Sequence, residues 1–303
     1  SWDCALGMLS VAHWHRVEAD VVTLSTAIGA CKKPESWLQA LHMLSWMQQQ
    51  CVERSIITCN TMISVLGRSA LWKQTLHLIA CMRRAALETN VISCSAAISV
   101  CEKSVQWNRG LGILAQMQLA SLEANAISYS AAISACEKGE EWGQAVNLFS
   151  GMQPRGVHAN IISHSALISA YEKGECWDRA LATLLRLQDI SLHANMIAYN
   201  AAISACEKGG QAMKAVRLLE LMAREAVEAD EITCNSAISA CQKGRQWSQA
   251  LSLLAEMQQA DLEATVIGVS AATSACSGPY EWASALGLLD YARALALEAS
   301  GIG

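Results

Sequence analysis

Apolar residues recur along this chain at two interlocking helical spacings. Between Ala126 and Asn160 they fall first at Tyr129, Ala132, Ile133 and Cys136, then at Trp142, Ala145, Val146, Leu148-Phe149 and Met152. The first set is spaced i, i+3, i+4, i+7, the signature of one face of an α-helix, and the second repeats it. Lys138-Gly139 separates them as a turn signal, so the stretch predicts a helical hairpin. The hairpin is not unique. Val91–Ser99, Ala126–Ser134 and Ile161–Ser169 open three consecutive segments that align without a gap, and the segments end in Asn125, Asn160 and Asn195.

The period is therefore 35 residues, and self-similarity at such a period marks a solenoid of stacked units. The frame extends over the whole chain. Residues 1–20 read as the back half of a unit, and full units are expected at 21–55, 56–90, 91–125, 126–160, 161–195, 196–230, 231–265 and 266–300. No polar capping helix is evident at either end, which suggests a piece of a longer array. The predicted fold is an all-α, right-handed superhelical solenoid.

Three positions within the period carry structural expectations. Gly of the Lys-Gly pair (Gly139, Gly174, Gly209, Gly244) suits the left-handed residue that ends a helix. Position 17 is Trp in nearly every unit, including Trp72, Trp107, Trp142, Trp177 and Trp247, with Ala212 the exception. At helical spacing with buried Ala and Leu, this Trp reads as core rather than as a base-stacking ladder. Position 27 is Met in Met47, Met82, Met117, Met152, Met222 and Met257, again a core filler.

Composition narrows the function. Only 3 Pro and 1 Phe occur among 303 residues. No apolar run is long enough for a membrane span, and the start is neither a signal nor a transit peptide. A net charge of −5 argues against a general nucleic-acid-coating protein, but leaves room for a basic stripe on one face. The 13 Cys lack CxxC pairs and His at ligand spacing, and most sit at positions 4 and 11. They read as small apolar packing residues in a reducing compartment, not as metal ligands or disulfides. No P-loop, GxSxG or zinc-deaminase motif occurs, so no catalytic residues, metal or cofactor are expected.

The 35-residue period, the Ala-Ile-Ser-Ala-Cys-Glu-Lys-Gly run at 132–139, and the Ala-x3-Leu/Phe-x2-Met pattern of the second helix resemble P-type pentatricopeptide repeats over essentially the whole chain. The tetratricopeptide alternative has a period of about 34 and would drift out of frame. The resemblance implies single-stranded RNA binding, one base per repeat, read by positions 5 and 35. Here these pairs are Asn60/Asn90, Ser95/Asn125, Ser130/Asn160, Ser165/Asn195, Asn200/Asp230 and Asn235/Thr265 from the second to the seventh full unit. The family's pairing rules make the first five pyrimidine-A-A-A-U, 5′ to 3′. The pairs Ser25/Ser55, Asn235/Thr265 and Ser270/Ser300 depart from the familiar sets, leaving the flanks unassigned. Helix capping by Ser and Asn is the competing explanation, above all at position 35.

The resemblance also implies that the aliphatic residue at position 2 (Ile57, Ile92, Ile127, Ile162, Ile197, Ile232) sandwiches the base. It implies that the basic residue at position 13 (Arg68, Lys103, Lys138, Lys173, Lys208, Lys243) lies near the phosphates. Glu102, Glu137, Glu172 and Glu207 adjoin that stripe and weaken its field. Partners are thus expected to be single-stranded RNA and other RNA-processing proteins, with no membrane and no small-molecule substrate. The expected setting is RNA processing, stabilisation or translation in mitochondria or plastids. Two other readings stand beside this one: a protein-binding helical-repeat scaffold, and the targeting arm of an enzyme whose catalytic domain lies outside this chain.

Overall fold

The computed structural model describes residues 21–31, 36–49, 55–85, 87, 89–190, 192–259 and 266–275. Among them lie fifteen α-helices and one short 3-10 helix, Gln153–Arg155, with no strand. The helices are α1 Val21–Ala30, α2 Trp37–Gln49, α3 Ile56–Arg68, α4 Trp72–Arg84, α5 Val91–Lys103, α6 Trp107–Leu119, α7 Ala126–Lys138 and α8 Trp142–Met152. They continue as α9 Ile161–Lys173, α10 Trp177–Asp189, α11 Met196–Lys208, α12 Ala212–Arg224, α13 Glu231–Lys243, α14 Trp247–Gln259 and α15 Val266–Ala275. The 1–20 half-unit and most of the 266–300 unit lie outside the described residues.

The chain divides into two units, Ser1–Ser163 and His164–Gly303. In the first, the leading helices of the hairpins stack side by side, α1 on α3, α3 on α5 and α5 on α7, while α4 and α6 each wedge between successive leading helices. The second unit follows the same plan, with α11 on α13, α13 on α15, and α12 packed between α11 and α13. Stacked helical hairpins, the fold class read from the sequence, are thus present in both units.

The core is where the periodicity put it. Tyr129, Ala132, Ile133 and Cys136 are buried, as are Met47, Met82, Met117, Met152, Met222 and Met257. Each large aliphatic side chain removed from water in this way contributes about 1.5–3 kcal/mol. Small Ala at the shared faces (Ala97, Ala132, Ala145, Ala202, Ala215 and Ala237) lets the helices approach closely.

Two expectations need correction. The glycine of the Lys-Gly pair is not the left-handed residue: Gly139, Gly209 and Gly244 have φ of −84°, −80° and −81°. The left-handed residue is the next one, and it is usually not Gly: Ala70, Val105, Glu140, Glu175, Gly210 and Arg245. The chain then closes with a Schellman-type bond, for example Glu141 N–H to Cys136 O at 2.9 Å. The glycine serves a close approach instead. A Cβ on Gly139 would stand 2.3 Å from Trp107 Cδ1, and one on Gly209 would stand 2.2 Å from Trp177 Cδ1.

The same contact corrects the tryptophans. They are half-buried or exposed, with Trp142 38% accessible, rather than part of the core. Trp is the first residue of the second helix, so its ring overhangs the end of its own hairpin. There its Cδ1 comes up against the turn of the next. Where Ala212 replaces Trp, Gly244 closes on the Ala212 methyl, and a Cβ would meet it at 2.7 Å.

Candidate nucleic-acid interface

Every leading helix with a described start begins directly after a position-35 residue. Ser55, Asn90, Asn125, Asn195 and Asp230 have extended backbones and accept the N–H three residues on, at Thr58, Ser93, Ser128, Ala198 and Thr233. Asn160 accepts from Ser163 N–H at 2.9 Å in the same way. Capping is therefore real at this position. It also fixes which end of an Asn points where. Only Oδ1 can accept, so it faces the helix, and the NH2 group of Asn90, Asn125 and Asn195 is turned away as a donor. Asp230 has a second oxygen there and can only accept. Burial pushes its carboxyl up, but the bonds from Thr233 and Asn200 outweigh this, and the net shift is downward.

Position 5 sits one turn inside its leading helix and leans on the cap of the next one. Ser130 Oγ donates to Asn160 Oδ1 at 3.1 Å, and Ser165 Oγ donates to Asn195 Oδ1 at 3.0 Å. Asn200 Nδ2 donates to both carboxylate oxygens of Asp230 at 3.3 Å. The two positions assigned to base reading are therefore in direct contact in these three pairs. The serines Ser95, Ser130 and Ser165 are nearly closed to solvent, whereas Asn60, Asn200 and Asn235 are half-exposed.

A third position was not anticipated. The third residue is Thr58, Ser93, Ser128, Ser163 or Thr233 in five of the leading helices, all five fully buried, and Ala198 in α11. The hydroxyl links the cap before it to position 5 of the preceding hairpin. Ser93 Oγ bonds Asn90 Oδ1 at 2.9 Å and Asn60 Oδ1 at 2.5 Å, and Ser128 Oγ bonds Ser95 Oγ at 2.7 Å. Thr233 joins Asp230 and Asn200 likewise. The signal was available in the recurrence of Ser or Thr at a buried helical position. Gly268 occupies the corresponding place after Asn235, and there Asn235 Oδ1 is buried without a hydrogen-bond partner. Thr265, paired with Asn235 in the sequence reading, lies outside the described residues.

Beside the caps, in both units, large apolar side chains stand in water. Ile57, Ile92, Ile127, Ile162, Ile197 and Ile232 are 58–70% exposed. They are the second residues of successive leading helices, and each stands two residues after a capping side chain.

The basic position is less free than a bare stripe. Lys138 pairs with Glu102 at 2.8 Å, Lys208 with Glu172 at 3.0 Å and Lys243 with Glu207 at 3.1 Å. Ser204 and Ser239 hydroxyls hold the same Glu172 and Glu207 carboxylates. Lys103 Nζ donates to Gly67 O at 3.2 Å, and Arg68 reaches Cys31 O at 3.5 Å. Lys173 ends α9. Arg68, Lys103, Lys138, Lys208 and Lys243 thus clasp the previous hairpin. Among the described residues the cysteines are free thiols, most of them buried. Among the described residues no group of His, Cys, Asp and Glu could hold a metal ion, and no helix is long and apolar enough to cross a membrane.

Comparison with known proteins places this geometry. A family model described as "PPR repeat" matches residues 127–157, 197–227 and 232–262, and one described as "Pentatricopeptide repeat domain" matches 147–209. No curated protein matches the sequence. Among solved structures, the pentatricopeptide repeat protein PPR10 from maize is 16% identical with a TM-score of 0.52, covering 96% of this chain and 51% of that one. PPR10 in complex with an 18-nt psaJ RNA element gives 16% identity and a TM-score of 0.50, over 95% and 52% of the two chains. The PPR domain of Arabidopsis thaliana protein-only RNase P 1 (PRORP1) in complex with tRNA is 11% identical with a TM-score of 0.52, over 56% and 90%. The structural likeness speaks to fold, and the chain spans about half the length of PPR10.

Proposed function

The chain belongs to the pentatricopeptide repeat family, and from that premise we propose that it binds single-stranded RNA in a sequence-specific manner, one base per repeat. The repeats are those at 21–55 through 266–300. Position 35 reads the base edge with help from position 5, and the position-2 isoleucines sandwich the base. The position-13 cations lie near the phosphates. Ser/Asn units present an amide donor, which suits the N1 acceptor of adenine. The Asn200/Asp230 unit presents acceptors, which suit the N3–H of uracil. The chain acts by binding and not by catalysis of its own. Its setting is RNA processing, stabilisation or translation in mitochondria or plastids. The solved relatives with 18-nt psaJ RNA and with tRNA support an RNA partner.

The observation that carries this reading is the exposure of the position-2 isoleucines. Six β-branched side chains stand in water at one repeat position, each beside a cap whose polar atoms point two ways. A stacking partner removes that apolar surface from water and uses the outward-facing groups at once.

The test is a paired substitution, Ile127→Ala with Ile162→Ala. Exposed positions change stability by no more than about 0.5 kcal/mol, so the variant should melt like the parent. Affinity for single-stranded RNA should fall at least tenfold, because base stacking is worth roughly 1–3 kcal/mol per base. The parent should prefer single strand to a duplex of the same sequence, whose base edges are closed. Unchanged affinity in the variant, or equal affinity for duplex, would transfer the argument to a protein-binding scaffold.

A further inference from the structure

Tyr129 is 1% exposed, and its hydroxyl is buried without a hydrogen-bond partner. It lines an open cleft of about 680 Å³ between the loop after α6 and the loop after the 3-10 helix, together with Gln118, Glu123, Asn125, Arg155 and His158. A buried phenol left without a partner is costly, because it gives up its bonds to water and gains none. The repeat supplies a direct control for what belongs there. Adding two periods (118 + 70, 129 + 70, 155 + 70) turns Gln118, Tyr129 and Arg155 into Gln188, Tyr199 and Glu225. In that second setting the three groups meet: Tyr199 Oη donates to Glu225 Oε2 at 2.8 Å, and Gln188 Nε2 donates to Glu225 Oε1 at 2.6 Å. Burial pushes the Tyr199 phenol up, and Glu225 adds to the rise, so the hydroxyl stays a donor.

At Tyr129 the two donors remain, but the carboxylate is gone and a guanidinium stands in its place. Arg155 makes a bond only to Gly151 O, at 3.1 Å, among the described contacts. The acid of the cleft, Glu123, is exposed on its rim, and the equivalent residue in the other setting is His193. We propose that this cleft takes a Glu or Asp side chain presented by a partner polypeptide, its carboxylate accepting from Tyr129 and Gln118 and pairing with Arg155. A polypeptide is favoured over a free ion because the cleft is far larger than a carboxylate. Leu119, next in sequence to Gln118 and 87% exposed, also offers an apolar surface for a second side chain.

The probe is N-acetyl-glutamate amide, titrated into the ¹⁵N-labelled protein while the Arg155 Nε–H and Gln118 side-chain amide signals are followed. Saturable shifts are expected, with the neutral glutamine analogue, acetate and inorganic phosphate each binding several-fold more weakly. Tyr129→Phe should weaken the probe roughly tenfold without lowering Tm, because the hydroxyl has no partner to lose. Glu123→His with Arg155→Glu copies the other setting into this one, and should abolish probe binding and raise Tm. The proposal is overturned by the absence of saturation, or by equal binding of the glutamine analogue, acetate or phosphate. It is also overturned if the double variant still binds or fails to gain stability.

Discussion

Replacing Gly139 by alanine is the sharpest test of how successive hairpins are joined. The backbone there has φ −84°, which alanine adopts freely, so the substitution adds no backbone strain. The only new atom is a methyl, and it would lie 2.3 Å from Trp107 Cδ1 and 3.0 Å from Cγ. Carbon atoms rest about 3.5–4.0 Å apart, so the indole must retreat by more than about 1 Å. Overpacking of this kind costs about 1–3 kcal/mol. Against it stands about 0.4–1 kcal/mol from the smaller entropy of the unfolded chain when glycine is removed. The net expectation is a loss of about 1–2 kcal/mol. In a Trp107→Ala background the contact with Cδ1 is absent, and even if the turn closes on the new methyl as Gly244 does on Ala212, Gly139→Ala should cost clearly less than in the parent. Urea unfolding of the parent, both single variants and the double closes the cycle, and the coupling should be about 1–3 kcal/mol. A stabilising Gly139→Ala in the parent, or a coupling near zero, would refute the Trp-on-Gly joint.

Three further outcomes follow from the described geometry. Asn200→Ser with Asp230→Asn installs the pair of the preceding repeat while keeping a capping residue, so folding should hold. Preference in paired titrations at fixed salt should swing roughly tenfold or more from U to A, on the scale of about 1–3 kcal/mol per base contact known for DNA readers. Identical ranking of the two RNAs by both proteins would remove positions 5 and 35 from base reading. Glu102→Gln with Glu207→Gln frees Lys138 and Lys243 from their ion pairs. RNA should bind more tightly and more salt-sensitively, by up to about 0.7 in the log–log slope per lysine; an unchanged slope would mean that these lysines serve only the clasp. Burial pushes the Cys101, Cys136, Cys206, Cys234 and Cys241 thiols up from 9.0 to about 11. An unfolded thiol ionises first, so this contribution is present below pH 9 and drains away as pH rises from about 9 to 11. The urea midpoint should fall across that window, and less steeply in Cys101→Ala/Cys136→Ala; parallel curves would contradict it.

The helices were legible because burial imposes the 3.6-residue period directly on residue type: Ala132, Ile133 and Cys136 could not be polar without cost. The turn was misread because two physical demands select the same residue. Gly tolerates positive φ, and Gly also admits a ring at close range, and spacing alone does not separate these. The Trp was misread for a related reason, since a large ring at helical spacing looks like core until the next hairpin is in place. The Ser or Thr at the third helical position went unnoticed because a hydroxyl on an otherwise apolar face resembles ordinary helix composition. Its meaning rests on partners about a full period away, as Ser128 and Ser95 show. The ion pairs were half-legible: Glu beside Lys was evident, but the pairing runs between neighbouring hairpins.

A residue that must start a helix and also face a base is drawn from a short alphabet. Asn, Asp and Ser cap about equally well and Thr somewhat less, while the longer side chains that read bases elsewhere are not among the preferred caps. In the proposed reading, position 35 is confined to those few letters by the backbone rather than by the RNA. Exchanges within the alphabet alter donor and acceptor without disturbing the helix that carries them. Specificity in such a chain can drift by single substitutions at almost no expense to stability, so related arrays can diverge in target long before they diverge in shape.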